Sequence, residues 1–221
     1  LLGLSKLPKV FSGFASKVRE NSTSCQVYIG LKEGESIPEV GDLIFTSDSE
    51  SFSSEELTDR HTTSRTFSVY YPHARPQVKE PRYSIVASIN ANWKDWDNLS
   101  EEEYASEKER LCEESLEALE KIVPGIREKV DHIEAATPKT IHHYTRHVGG
   151  TSFGTKFEGL EVSEKLPEHA PGLFHAGSVG IIMSGWLGTI NYGVIIANKV
   201  DTFLCEKLGT DSSPDLVPAK S

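Results

Sequence analysis

Cysteine is scarce and poorly spaced for a shared role. Cys25, Cys112 and Cys205 are odd in number and far apart, with no CxxC pair. That spacing excludes a disulfide framework and a cysteine-held zinc site, and makes a reducing compartment the default expectation. Positive charge is also short: 23 Lys and Arg stand against 33 Asp and Glu, for a net charge of −10. A general nucleic-acid binder needs clustered cations to displace counterions, so that class is excluded. Apolar residues make up 37% of the chain, a little below the roughly 45–50% of average usage with glycine counted. The sequence opens on Leu1-Leu2, without methionine and without the basic-then-apolar pattern of a secretion signal. A processed product, a split subunit or a fragment is therefore expected. Three catalytic signatures are missing as well. There is no HExxH, no GxGxxG after a strand, and no GxSxG elbow, because MSGWLG lacks the leading glycine. A hydrolase is a poor reading.

At 221 residues the chain is long enough for one large domain or two small ones, with a real core. Residues 4–18 place Leu4, Leu7, Val10, Phe11, Phe14 and Val18 at spacings of three and four, the stripe of an amphipathic helix. Such a helix packs on a domain or, with Lys6, Lys9 and Lys17 on its other side, rests on a membrane surface. Pro8 and Gly13 weaken the helix. Strands are expected at 23–31, 64–71 and 83–91, which are rich in β-branched and aromatic residues. Together they predict an antiparallel sheet. The polar stretch 47–63 reads as loop or short helix, and Pro72, Pro76 and Pro81 punctuate the link between the last two strands.

The clearest helix runs from Ser100 to Val123. Ser100 and Glu103 form a capping box, Glu101 and Glu102 load the first turn, and Pro124-Gly125 stops it. A short helix over 125–130 follows. Pro138 predicts an extended segment through 135–144, since the residue before proline avoids the helix. In that form the close histidines His142, His143 and His147 alternate faces, which argues against a metal site and for structural or surface roles. A polar loop, a strand at 173–176 and a helix ending near Leu208 complete the pattern. The tail 210–221 has no apolar periodicity and reads as disordered.

Residues 171–200, PGLFHAGSVGIIMSGWLGTINYGVIIANKV, are the densest in information. From Ala176 to Ala197 there is no charged residue, close to the length of a bilayer span. Five glycines, with Ser178, Ser184, Thr189 and Asn191, fit a buried turn and helix better. A strand ending in glycine, then a turn, then a helix start offers outward amide hydrogens and a positive dipole end to a polar or anionic group. A buried structural helix with small residues is the competing account. His175, just before Gly177, stands where it can meet a ligand or be satisfied within the core. Phe67, Tyr70, Tyr71, Trp93 and Trp96 suit either an apolar pocket for a long hydrocarbon or ordinary packing.

Several motifs occur together in order. They are VYIGL at 27–31, YYPHARP at 70–76, NANWKDW at 90–96, LEALEKIVPGIREKV at 116–130, EAATPKTIHHYTRHVGGTSFGT at 134–155, and the closing PGLFHAGSV and MSGWLGTINYGVIIANKV. This ordered set resembles the C-terminal half of the phytoene desaturase, carotenoid isomerase and retinol saturase family of FAD-dependent oxidoreductases. The resemblance covers most of the chain. It implies an α+β fold: an antiparallel substrate-domain sheet with helices over 1–135, then a C-terminal strand and helix over 136–208. The latter returns to a Rossmann-like FAD domain whose N-terminal part is absent, and 209–221 is the tail. It implies FAD as cofactor, with contacts from Gly177, Ser178, Gly185, Trp186, Leu187 and Gly188. The helix start would stabilise negative charge on the reduced ring.

The family commonly has aspartate where Ser178 stands, and more glycine where Ile182 and Met183 stand. The implied partners are an N-terminal half or subunit carrying GxGxxG and a lipophilic substrate such as a polyene, with no nucleic acid. The chain alone is expected to be inactive. No side-chain nucleophile is expected, and no catalytic residue is assigned. A cytoplasmic or plastid-like compartment is implied, with peripheral membrane contact as a further expectation. Two alternatives remain: a noncatalytic subunit or pseudoenzyme, motivated by Ser178 and the missing front half, and a membrane-tethered interaction module.

Overall fold

In the computed structural model, residues 8–74, 82–180 and 185–209 are described. Leu4, Leu7, Pro76, Pro81, Ile182, Met183 and the tail 210–221 therefore lie outside the described residues. The chain divides into two compact units. One spans 22–152; the other joins 8–21 to 153–180 and 185–209.

The first unit is built on alternation. Strand β1 (Thr23–Leu31) turns Cys25, Val27, Ile29 and Leu31 to one face, all buried. Strands β2 (Leu43–Thr46), β3 (Arg65–Tyr70), β4 (Ser84–Ala91) and β5 (Val130–Ala136) join it in an antiparallel sheet of order β2-β3-β4-β1-β5. The register pairs Val27 with Ala87 and Phe67 with Ala87, so the inward residues of neighbouring strands stack on one side. The three expected strands form, and an α+β fold with an antiparallel sheet is what the structure has. Strand β2 was not anticipated; four residues at an edge carry too little pattern to read.

Helix α2 (Ser54–Thr58) lies within the stretch read as loop or short helix, and α3 (Lys94–Asp97) precedes the long α4 (Glu101–Glu120). The expected capping box is present: Ser100 Oγ accepts from the Glu103 amide, and the Ser100 amide donates to the Glu103 carboxylate. Helix α4 sets Leu111, Ser115, Leu116 and Leu119 in the core that also holds the inward sheet residues. Helix α5 (Ile126–Lys129) starts at Gly125, whose φ of +81° only glycine adopts without strain. Phe67, Tyr71 and Trp96 are core residues, so packing and not a pocket accounts for them. Tyr70 is instead exposed on the opposite face, and Trp93 stands 5.2 Å from the His142 ring.

The core also buries a charge. Arg65, 5% exposed, donates to Ser115 Oγ, to the Thr62 and Thr63 carbonyls and to Glu114 at 2.7 Å. Four acceptors meet the requirement that a buried guanidinium be paired and hydrogen-bonded.

Cys25 sits in the same core, and burial pushes its thiol from 9.0 up to about 12. Arg110 pulls it back somewhat and Glu107 raises it further. Above pH 9.0 the unfolded chain releases this proton while the folded chain keeps it. Stability therefore falls as pH rises, by about 1.4 kcal/mol per pH unit from this one group. Urea midpoints of wild type and Cys25→Ala, compared between about pH 8 and about pH 10, should show a steeper loss for wild type. Equal slopes would contradict a buried, neutral thiol.

One expectation is overturned around Pro138. Residues 138–145 are helical (α6, Pro138–Thr145), not extended. Proline is suited to the first helical position, where its missing N–H costs nothing. The preceding Thr137 takes the extended backbone that proline demands and caps the helix through Thr140. The helix stops at Arg146, φ +60°, so His147 lies beyond it. His142 Nδ1 is 2.7 Å from the His147 carbonyl, and His147 Nδ1 is 3.1 Å from the Thr151 carbonyl. These histidines pin the loop to itself, and no group suited to a metal occurs among the described residues.

The second unit holds α1 (Lys9–Ala15), α7 (Glu158–His169) and α8 (Gly185–Leu208). Phe11 is buried, with its ring 4.8 Å from that of His169. Helix α7 replaces the expected polar loop. Its buried positions are Gly159 and Ser163, a stripe too small to register as hydrophobic, and Pro167 lies inside it. The strand expected at 173–176 does not form; these residues belong to no strand. A strand exists only with a ladder partner, and none pairs with them among the described residues. Val179, Tyr192 and Ile196 make this unit's core, with Leu160, Phe174 and Val200 against it. No described helix is long and apolar enough to cross a membrane.

Candidate functional site

The six expected contact residues fall into two local groups. Gly177 and Ser178 form a turn. Gly185, Trp186, Leu187 and Gly188 form the first turn of α8. Val179, directly after Ser178, packs against Tyr192 and Ile196 of α8, which ties the turn to that helix.

Glycine is required at the turn for two reasons. Gly177 has φ +148° and Gly180 has φ +61°, values that side chains disfavour. A second segment also closes on it. Gly154, φ +69°, passes so near that a β-carbon there would fall on the Ser178 carbonyl oxygen. The Gly180 amide reaches Thr155 Oγ1 at 3.4 Å. The turn within TSFGT and the turn within HAGSVG thus lie backbone to backbone. Ser178 Oγ is buried there and has no hydrogen-bond partner among the described residues. A buried hydroxyl without a partner is costly and asks for a bound group.

Helix α8 is 24 residues long and has no acidic residue in its first turn. Its opening amide hydrogens lack partners within the helix, as in any α-helix. A β-carbon on Gly185, φ +66°, would meet open space. Trp186 is 90% exposed and Leu187 75%, so this helix start presents apolar surface beside its amides.

Beneath the turn runs a hydrogen-bonded chain. Tyr192 Oη, in a fully buried side chain, donates to Ser163 Oγ at 2.7 Å. Ser163 Oγ lies 2.8 Å from His175 Nδ1. The His175 ring is thus held by the Ser163 side chain. Burial of part of the ring pulls its pKa below the ordinary imidazole range. Burial also raises the Tyr192 phenol, with the Ser163 bond working the other way and Glu164 adding to the rise.

Three residues of this site were not legible beforehand. Gly154 shows its meaning only when the second turn is seen against it. Ser163 sits on a helix read as loop; the four-residue spacing of Gly159 and Ser163 was the one available signal. Tyr192 lies within the last helix, and nothing in its local sequence sets its hydroxyl apart.

No protein-family model matches this chain, and no curated protein matches it.

Proposed function

We propose that this chain is the C-terminal half, or a subunit, of an FAD-dependent oxidoreductase or isomerase acting on a polyene or other lipophilic substrate. The phytoene desaturase-like motif order supports the family. The observation that carries the reading to a site is Ser178 Oγ: a buried hydroxyl without a partner among the described residues, on a glycine turn, at the position where the family has a cofactor contact. The residues present fit the group. Ser178 offers a hydroxyl, the glycines keep β-carbons out of the way, and the α8 start offers amides and a positive dipole end with no acidic residue in its own first turn.

When bound, FAD supplies hydride or electron exchange with carbon–carbon bonds. The chain's own residues bind and orient. Ser178 would hold the ribityl or phosphate region, while the amides of Trp186, Leu187 and Gly188 favour negative charge at the ring edge. Trp186, Leu187 and Ile190, all exposed, favour a heteromer in which a partner bearing GxGxxG covers them. The test is co-production with such a partner. A coloured complex that releases flavin on denaturation is expected. A stable complex that is colourless and releases none would leave this chain a noncatalytic subunit.

A further inference from the structure

The chain Tyr192–Ser163–His175 has a direction. Ser163 carries one hydroxyl hydrogen and already accepts from Tyr192 Oη. It can give that hydrogen to His175 Nδ1 at 2.8 Å or to the His175 carbonyl at 3.4 Å. The first bond is far the shorter, and it aligns both hydroxyls head to tail, so that each polarises the next. Nδ1 is then the acceptor, and a neutral ring carries its hydrogen on Nε2. Partial burial disfavours the imidazolium.

Nε2 is turned toward the glycine turn. A β-carbon placed on Gly177 would stand 3.8 Å from it. The space beside Nε2 is thus the space that glycine leaves open. One residue further on lies Ser178 Oγ, buried and without a partner among the described residues. His175 itself retains solvent-accessible surface, so the outer part of the residue is not sealed.

We propose that His175 is a binding residue of this site, offering an Nε2–H donor to an acceptor oxygen of the ligand at the Gly177–Ser178 turn, with Ser163 and Tyr192 as positioning residues that set its tautomer. The identity of the ligand rests on the flavin reading, in which the acceptor is a ribityl or phosphate oxygen of FAD. A neutral donor suits such a place, because it holds an oxygen without competing with the helix end for charge.

Two measurements test this. The first needs no ligand. In the full chain labelled with nitrogen-15 histidine, long-range proton–nitrogen spectra report which ring nitrogen carries hydrogen. His175 should be protonated on Nε2 and bare on Nδ1, and Ser163→Ala should erase that preference. A hydrogen on Nδ1 in the wild-type chain overturns the proposal.

The second compares flavin retention in the complex with the GxGxxG partner. His175→Gln places an amide near the Nε2 position; His175→Asn places one near Nδ1 and keeps only the Ser163 contact. Retention should stay within about threefold for His175→Gln and fall about tenfold for His175→Asn, the worth of one hydrogen bond. The reverse order would make His175 a peg for α7 alone and overturn the proposal. If the complex holds no flavin while the free chain carries its hydrogen on Nε2, the flavin reading falls and the donor assignment stands.

Discussion

Gly150→Ala will cost the sheet-bearing unit about 3 kcal/mol or more and lower its melting temperature by roughly 10 °C. Gly150 has φ +56°, and a β-carbon there would fall on the carbonyl oxygen of Pro138. Neither side of that contact can yield cheaply. Pro138 is the first residue of α6, locked by the Thr137 cap. The Gly150 carbonyl accepts from the buried Thr23 hydroxyl at the start of β1. The left-handed backbone alone accounts for about 1–2 kcal/mol, and overlap with backbone supplies the rest. Gly34→Ala is the control. It shares a positive φ of +80° but has nothing within 4 Å, so it should lose only the backbone part. Thermal unfolding followed by circular dichroism checks the pair. Equal melting temperatures for the two variants would mean that α6 does not close on Gly150 as described.

The second large effect is expected at Gly154. Alanine there meets the Ser178 carbonyl in the same way, with φ +69° adding strain. Here the displaced backbone is the turn that carries Ser178, and the Gly154 carbonyl is itself held by the Asn21 amide at 3.2 Å. On the flavin reading, Gly154→Ala should reduce flavin retention by the complex about 100-fold, the equivalent of about 3 kcal/mol. The sheet lies in the other unit, so the sheet core should keep its urea transition. Flavin released per mole of complex, measured beside that transition, separates the two effects. Wild-type retention in Gly154→Ala would remove the Ser178 turn from the cofactor site.

Both glycines sit in one motif, VGGTSFGT at 148–155. The sequence shows them as closely spaced glycines and says nothing of what each one meets. Each acts through contact with a segment far along the chain, Pro138 for one and Ser178 for the other. Such pairs carry no local signature, because a glycine required by a distant carbonyl looks like a glycine required by a turn.

Local chemistry was readable where a segment's own pattern decides its form. Strands 23–31, 65–70 and 84–91 place apolar residues at every second position on the buried face, the pattern of a strand with one side in a core. Helix α4 carries its stop signal and its capping box within itself. The run ending at Leu208 is long enough that helix was the sole reading. One misreading occurred where two local rules competed. Thr137-Pro138 satisfies both an extended residue before proline and a helix beginning at proline, and the Thr140 hydroxyl tips the balance toward helix.

By itself, then, the amino-acid order settled three antiparallel strands of the sheet, the long capped helix and the last helix, since each buries an apolar face at a period of two or 3.6. Tertiary contact alone decided that residues 173–176 find no strand partner, that α7 is a helix, and that Gly154 presses on Ser178. It also decided that Tyr192 reaches His175 through Ser163. Those outcomes depend on which distant backbone arrives beside a residue, and a hydroxyl or a glycine has the same appearance in a sequence whether or not its partner comes.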